Sequence, residues 1–360
     1  EEAQALLVRW EKGEKEVLEL WKKMNEWTLK GMFDTYARYG IRFDKNYFES
    51  QFFDKGKELI LQAKEKGLLT TADNGAIVAP LKKFNLPDKP ILRADGTTIY
   101  ITQDIFLAIS RLNDHPDLNQ IIHVVGEEQE LHFQQLFAIL QLLGVEKAKN
   151  FHHLSYGLVM LPEGKMSSRK GNVVTADGLM DEIETLSQEQ LITRYPELPN
   201  EEIVRRAKVI SLAAIKLLLL RNDAKKVITF DPKESVSFDG QTGPYLLYTI
   251  ARCHSILKKS IKKADPELGS LLSLPREQEL IAKLATKEWI YENTLSHYTP
   301  HILTQYLLDL ANTFNSYYHE AHVMQEDAQL EQARLALVEA IKDVLTDGMF
   351  LLGIETLEEM

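Results

Sequence analysis

The sequence predicts two successive parts, a parallel α/β sheet domain over residues 1–204 and an all-α helical bundle over residues 205–360. Three observations carry that reading. Between residues 97 and 161, β-branched or apolar runs alternate with stretches of helical spacing, the order expected of parallel βαβ units covered by helices. From about residue 205 the strand signal fades and long helical patterns take over. Between the two, ITRYPELPNEE (192–202) sets two prolines and a run of acids across the helical periodicity, which is linker chemistry.

Residues 1–32 and 48–66 have helical spacing and are joined through YARYGIRFD (36–44). TTIYITQ (97–103) is β-branched and aromatic and reads as a strand, with DIFLAISRLND as the helix after it. IIHVVG (121–126) is a short apolar strand closed by glycine. EEQELHFQQLFAILQLLG (127–144) then places Leu131, Leu136, Leu140 and Leu143 at helical intervals, and FHHLSYGLVML (151–161) is strand-like again. Ligands of open parallel sheets sit beyond the carboxyl ends of the strands. Tyr100 to Asp104, Gly126 to Gln129 and the loop GKMSSRKG (164–171) are therefore expected to share one crevice. In the second part, VISLAAIKLLLL, GPYLLYTIARCHSILKKSI, LTQYLLDLANTFNSYYHEA and EQARLALVEAIKDVLTDGMFLLG each follow a helical period.

At 360 residues, with 44% apolar and 26% charged side chains, the chain can bury two cores. A single cysteine, Cys253, excludes a disulfide framework and fits a reducing cytoplasm. No stretch is long and apolar enough to span a membrane, and no signal peptide opens the chain, so no membrane partner is expected. The chain starts at Glu1 rather than Met, which suits either a fragment or a processed product. A net charge of −11 argues against indiscriminate nucleic-acid binding. Residues 201–263 nevertheless hold thirteen Lys and Arg against six acids, a basic segment inside an acidic protein. It suits either a solvated helical face or a contact with RNA.

Candidate chemistry lies in both parts. An anion such as a triphosphate needs backbone N–H groups, room for close approach and cations. In the loop Lys165, Arg169 and Lys170 supply charge, and Ser167, Ser168 and Gly171 supply donors and space; an exposed polar turn would look the same. Asp104 can either cap a helix or project with Tyr100 into the crevice. A carboxylate there prefers a cation, and a planar guanidinium is its best bidentate match. Gln129 can add a polar contact. His132 lies nearby, where a lone helical histidine also suits a structural role. In TGPYLLYTIAR (242–252), Pro244 fits a first helical turn. Tyr245, Tyr248 and Arg252 fall at i, i+3 and i+7 on one face. That face suits unpaired bases and phosphate, or a core stripe with polar tips.

These stretches together resemble the class I arginyl-tRNA synthetases. The resemblance is carried by ILRADGTTIYITQDI (91–105), HVVGEEQELHFQQLF (123–137), GKMSSRKGNVVTADGLMDEI (164–183), SFDGQTGPYLLYTIAR (237–252), RLALVEAIKDVL (334–345) and the ending LLGIETLEEM. It implies a Rossmann-like catalytic domain, here partial, followed by a helical anticodon-binding domain. It further implies ATP with Mg²⁺, arginine and tRNA(Arg) as substrates, with arginyl-adenylate as the intermediate. Tyr100, Asp104 and Gln129 match arginine-holding positions. The signature loop puts Lys165, Met166, Ser167 and Ser168 against ATP, with Gly157, Met160 and His132 also bordering the nucleotide. Tyr245, Tyr248, Arg252 and Met360 match anticodon-loop contacts, and His322 falls at a further one.

The sequence departs from the family pattern twice. Ser168 stands where many class I synthetases carry a second lysine, so Arg169 or Lys170 is expected to supply that charge. No H-x-G-H occurs, and His152-His153 is misplaced for it. The expectation is that the first half of the nucleotide fold is supplied in cis or in trans, that this chain alone is inactive, and that the complete protein is a cytoplasmic monomer. The alternative expectation is a non-catalytic tRNA-binding descendant of such an enzyme.

Overall fold

In the computed structural model, residues 2–52, 55–160, 175–229, 235–238 and 240–360 are described. The chain opens with helices α1 (Glu2–Glu11) and α2 (Lys15–Tyr39). Gly13 between them adopts φ +75, a left-handed conformation that glycine takes without steric cost and that ends α1. Helix α2 runs through Tyr39 and stops at Gly40, so the connector expected at 36–44 begins later than the sequence suggests. Arg38 near its end reaches three acids of a later helix, α6 (Ala176–Arg194): Asp181 at 2.6 Å, with Asp177 and Glu184 at 3.5 Å.

Helix α3 (Lys55–Glu65) packs on α4 (Tyr100–Asp114). An antiparallel sheet of β1 (Thr70–Thr71), β2 (Ile77–Ala79) and β3 (Lys89–Leu92) lies between them in sequence. The strand expected at 97–103 is absent. The Asp95 carboxylate accepts the Thr97 N–H at 2.9 Å and closes a turn through Gly96. The Thr102 hydroxyl then accepts the Ile99 N–H at 3.2 Å and donates to the Ile91 carbonyl at 2.5 Å. Local side-chain bonds thus draw these β-branched residues into a turn and a helix start. Burial of Ile101, Ile105 and Ala108 sets a helical period from the first turn onward.

Strands β4 (Ile122–Gly126) and β5 (His152–Tyr156) pair in parallel, from Ile122 opposite His152 to Gly126 opposite Tyr156. Helix α5 (Glu130–Leu142) makes the crossover. Its buried face is Phe133, Leu136, Ile139 and Leu140, whereas Leu131 is half exposed. The run expected as one strand over 151–161 is split. Gly157 donates its N–H to the Ala224 carbonyl at 2.8 Å, and β6 (Val159–Met160) pairs in parallel with β7 (Ile228–Thr229) instead. A Cβ on Gly157 would stand 2.6 Å from the Lys225 carbonyl oxygen, so only glycine admits this close backbone approach. On one face of the β4–β5 pair Ile122 and Val124 are 42% and 62% exposed. Parallel sheets normally bury both faces.

Helix α7 (Asn200–Leu220) is continuous across residue 204 and packs on α6 and on α8 (Gly243–Lys259). Together with α9 (Pro275–Ala285), α10 (Lys287–His297), α11 (Pro300–Glu320) and α12 (Ala328–Leu351) it forms the helical half. Its main core includes Ile210, Leu247, Leu307, Phe314 and Ile341, and a smaller one joins α6 to α7 through Met180, Ile183 and Ile215. A separate core joins α3, β2, β3, α4 and α5 through Ile60, Ile77, Ile91, Ile105 and Leu140. The start of α8 approaches α7 so closely that a Cβ on Gly243 would lie 2.3 Å from the Ala213 backbone.

Candidate functional site

The first cluster sits where α4 and α5 face each other. Asp104 does not cap its helix, because the N-cap is Ile99 and Asp104 comes a turn later. Its carboxylate instead accepts a hydrogen bond from His132 Nε2 at 2.8 Å, bringing α4 and α5 together. Tyr100, one turn earlier on α4, is 79% exposed. Gln129 is also exposed and closes the short 3-10 turn (Glu127–Gln129) that follows β4. Tyr100 and Asp104 thus enter from a helix start rather than from the strand end expected of them, while Gln129 does follow a parallel strand.

The charge around Asp104 is layered. Arg111 lies two turns further along α4, its guanidinium pulled below its usual pKa by burial while Asp104 and Tyr47 oppose that shift. Behind it His123 of β4 is pushed down to about 4, chiefly by burial and then by the neighbouring Arg111 charge, so it is neutral near pH 7. His153 of β5 bonds the Val125 carbonyl through Nε2 at 3.1 Å and stacks on Phe133 at 4.6 Å between ring centroids. A carboxylate held by one imidazole, with 39% of its side chain exposed and a partly buried guanidinium nearby, can receive a further cationic group.

Gly157 and Met160 lie on the β5–β6–β7 path, Met160 opposite Thr229. The packing of Gly157 against Lys225 and Lys226 already accounts for its lack of a side chain. Lys165, Met166, Ser167, Ser168, Arg169, Lys170 and Gly171 lie outside the described residues. The described chain resumes at Thr175, whose hydroxyl accepts the Gly178 N–H at 3.0 Å and starts α6.

The second cluster lies in the helical half. A cleft of about 800 Å³ is lined by Tyr248, Arg252, Tyr318 and Met360, with Lys258 and Glu359 on its walls. The Arg252 guanidinium lies over the Tyr248 ring at 4.7 Å and the Tyr318 ring at 4.9 Å. It donates to Asn315 Oδ1 and, at 3.1 Å, to the Tyr248 hydroxyl. Asn315 donates in turn to the Tyr245 hydroxyl and to Thr249 Oγ1, both at 2.9 Å, and Tyr245 donates to Asn312 Oδ1 at 2.7 Å. The predicted face of α8 is therefore a polar, half-buried surface cross-linked to α11, not a plain core stripe. His322 offers its carbonyl to Arg334 at 2.7 Å.

Part of the basic excess seen in residues 201–263 is offset by acids outside that segment. Glu359 approaches Lys258 at 2.8 Å and Arg206 at 3.7 Å, and Glu331 meets Lys262 at 3.0 Å. Sequence reasoning missed Asn312, Asn315 and Tyr318. Their signal was present in LANTFNSYYHE, where they recur every third residue along an otherwise apolar helix.

Comparison with known proteins places these two clusters in context. The family model described as "tRNA synthetases class I (R), catalytic domain" matches residues 1–231, and that of the "DALR anticodon binding domain" matches residues 246–360. The arginine–tRNA ligase of Parabacteroides distasonis is 40% identical over 366 residues, spanning 100% of this chain and 61% of its own length. That of Treponema denticola is 43% identical over 372 residues, spanning 100% and 62%. The chain thus spans about three fifths of the length of the curated relatives it matches. Among solved structures, Thermus thermophilus arginyl-tRNA synthetase superposes with TM-score 0.82 at 25% identity, covering 98% of this chain and 68% of that one. The Plasmodium falciparum enzyme shares the fold, with TM-score 0.84 at 22% identity, covering 99% of this chain and 61% of that one.

Proposed function

Because this chain belongs to the class I arginyl-tRNA synthetase family, we propose that the protein containing it is an arginine–tRNA ligase, which makes arginyl-adenylate from arginine and MgATP and transfers arginine to tRNA(Arg). The observation that carries this reading is the match of the whole chain, catalytic and anticodon-binding parts alike, to relatives bearing that name.

Tyr100, Asp104 and Gln129 hold the arginine side chain. The accessible Asp104 carboxylate supports this, since a guanidinium needs an ionised, reachable acceptor. Lys165, Ser167, Ser168, Arg169 and Lys170 act on the ATP phosphates, while Gly157, Met160 and Met166 border the nucleotide. Tyr245, Tyr248, Arg252 and Met360 receive the anticodon loop. Three of these four line one cleft, and aromatic rings beside a guanidinium suit splayed bases and phosphate. We place the domain division at residues 1–204 and 205–360, with helix α7 running across it. The protein acts as a cytoplasmic monomer, and the rest of the catalytic domain is supplied in cis or in trans. The exposure of Val124 on a parallel strand supports that last point.

The test is ATP consumption with arginine and tRNA(Arg), comparing this chain alone with the protein extended upstream. Arginyl-tRNA formed only by the extended protein, and lost in Asp104→Asn, is the expected result. Tight tRNA binding without turnover by either protein would favour a non-catalytic tRNA-binding protein.

A further inference from the structure

The hydrogen bond between Asp104 and His132 serves neither helix, since it caps no terminus and spans two elements. We propose that His132 is a positioning residue for arginine recognition, holding the Asp104 carboxylate in the plane that a guanidinium fork requires. The inference rests on reading Asp104 as the arginine anchor.

The chemistry follows from the donor count. An ionised carboxylate only accepts, so the Nε2 facing it must carry a proton. An ionised carboxylate has about four lone-pair sites. His132 occupies one of them on Oδ2, and the remaining sites can take the two parallel N–H groups of a guanidinium. Without that bond a carboxylate with 39% of its side chain exposed could rotate about its terminal torsion, which is broad and weakly restrained. The His132 ring is itself held edge-on to Phe133, centroids 5.5 Å apart at 85°, and its side chain is only 23% exposed. The charged and titratable groups around the pair are Arg111 on α4, His123 on β4 and His153 on β5. Each of the last two is engaged elsewhere. His153 bonds the strand backbone, and His123 packs against Phe133, Phe137 and Phe151. Among the described residues, His132 alone is hydrogen-bonded to Asp104.

The experiment uses the whole gene product and measures kcat and KM for arginine and for ATP in tRNA-dependent arginylation. His132→Phe keeps a planar ring against Phe133 and removes the donor. His132→Gln returns an N–H donor at nearly the same reach. The expected result is a roughly tenfold or larger rise in KM for arginine in His132→Phe, the scale of losing one hydrogen bond to a charged group. KM for ATP should stay unchanged, and His132→Gln should recover most of the loss. A rise in KM for ATP alone would make His132 a nucleotide contact and overturn the proposal. So would a loss of thermal stability with neither KM altered, or a His132→Gln variant as impaired as His132→Phe. Asp104→Asn separates the two readings. If it leaves KM for arginine unchanged, the anchor reading fails and this proposal with it. If it raises that KM and His132→Phe does not, only the positioning role fails.

Discussion

Tyr298, at the end of α10, lies against His152 at the start of β5, with ring centroids 4.4 Å apart and planes 32° from parallel. Its hydroxyl also accepts a hydrogen bond from Gln120 Nε2 at 2.6 Å. One side chain of the helical half thus grips the amino-terminal edge of the parallel pair. Tyr298 does so from a left-handed backbone, φ +55, a conformation that costs a non-glycine residue about 1–2 kcal/mol.

That combination separates contact from strain. Tyr298→Ala loses the ring contact and the hydrogen bond but keeps the strain, and is expected to destabilise by about 2 kcal/mol. Tyr298→Gly loses the same contacts and relieves the strain, so it should unfold later than Tyr298→Ala in urea, by roughly 1 kcal/mol. The reverse order would mean that the left-handed turn carries no cost.

Gly243→Ala addresses the packing of α8 on α7. The added Cβ would stand 2.3 Å from the Ala213 carbonyl oxygen, a backbone atom that cannot swing away. A loss of roughly 2 kcal/mol or more is expected, read as a lowered Tm, with weaker tRNA binding because the Tyr248 and Arg252 face shifts with the helix. A Tm within a degree of wild type would show that the two helices are further apart than described.

Arg252→Lys keeps a positive charge and removes both the planar stack and the fork of donors. Because Lys and Arg differ in these respects, tRNA affinity should fall about tenfold, by roughly 1.4 kcal/mol. The slope of log Kd against log salt should change little, since the charge is retained. Asn315→Ala should reproduce much of that loss without touching any charge, as it removes the acceptor that aims Arg252. Filter binding across a salt series distinguishes these outcomes from a purely electrostatic role.

Burial lowers the folded-state pKa of His123 from 6.5 to about 4. Between those values the unfolded chain binds a proton that the folded chain does not, so stability rises with pH there. This contribution is complete above about pH 6.5 and falls away as the pH drops toward 4. His123→Leu should flatten that part of the stability–pH curve relative to wild type, measured by urea midpoints at steps of pH. An unchanged slope would mean that His123 is solvated in the folded protein.

Periodicity and composition by themselves determined the sequence of parts. They showed βαβ alternation around residues 121–161, a helical half after residue 205, and a face on α8 carrying Tyr245, Tyr248 and Arg252. These features were legible because they repeat along the chain at 2 or 3.6 residues. TTIYITQ was misread because its fate rests on single hydrogen bonds from Asp95 and Thr102 that override β propensity. The split at Gly157 depends on the backbone of residues 224–226 lying against it, about seventy residues away in sequence. Periodicity carries no information about such contacts. Only the tertiary structure decided that Asp104 meets His132 rather than a helix terminus, and that Asn315 aims Arg252. It likewise decided that Glu359 and Glu331 answer the basic segment. Those pairings join elements remote in sequence, and their geometry exists only once the helices have packed.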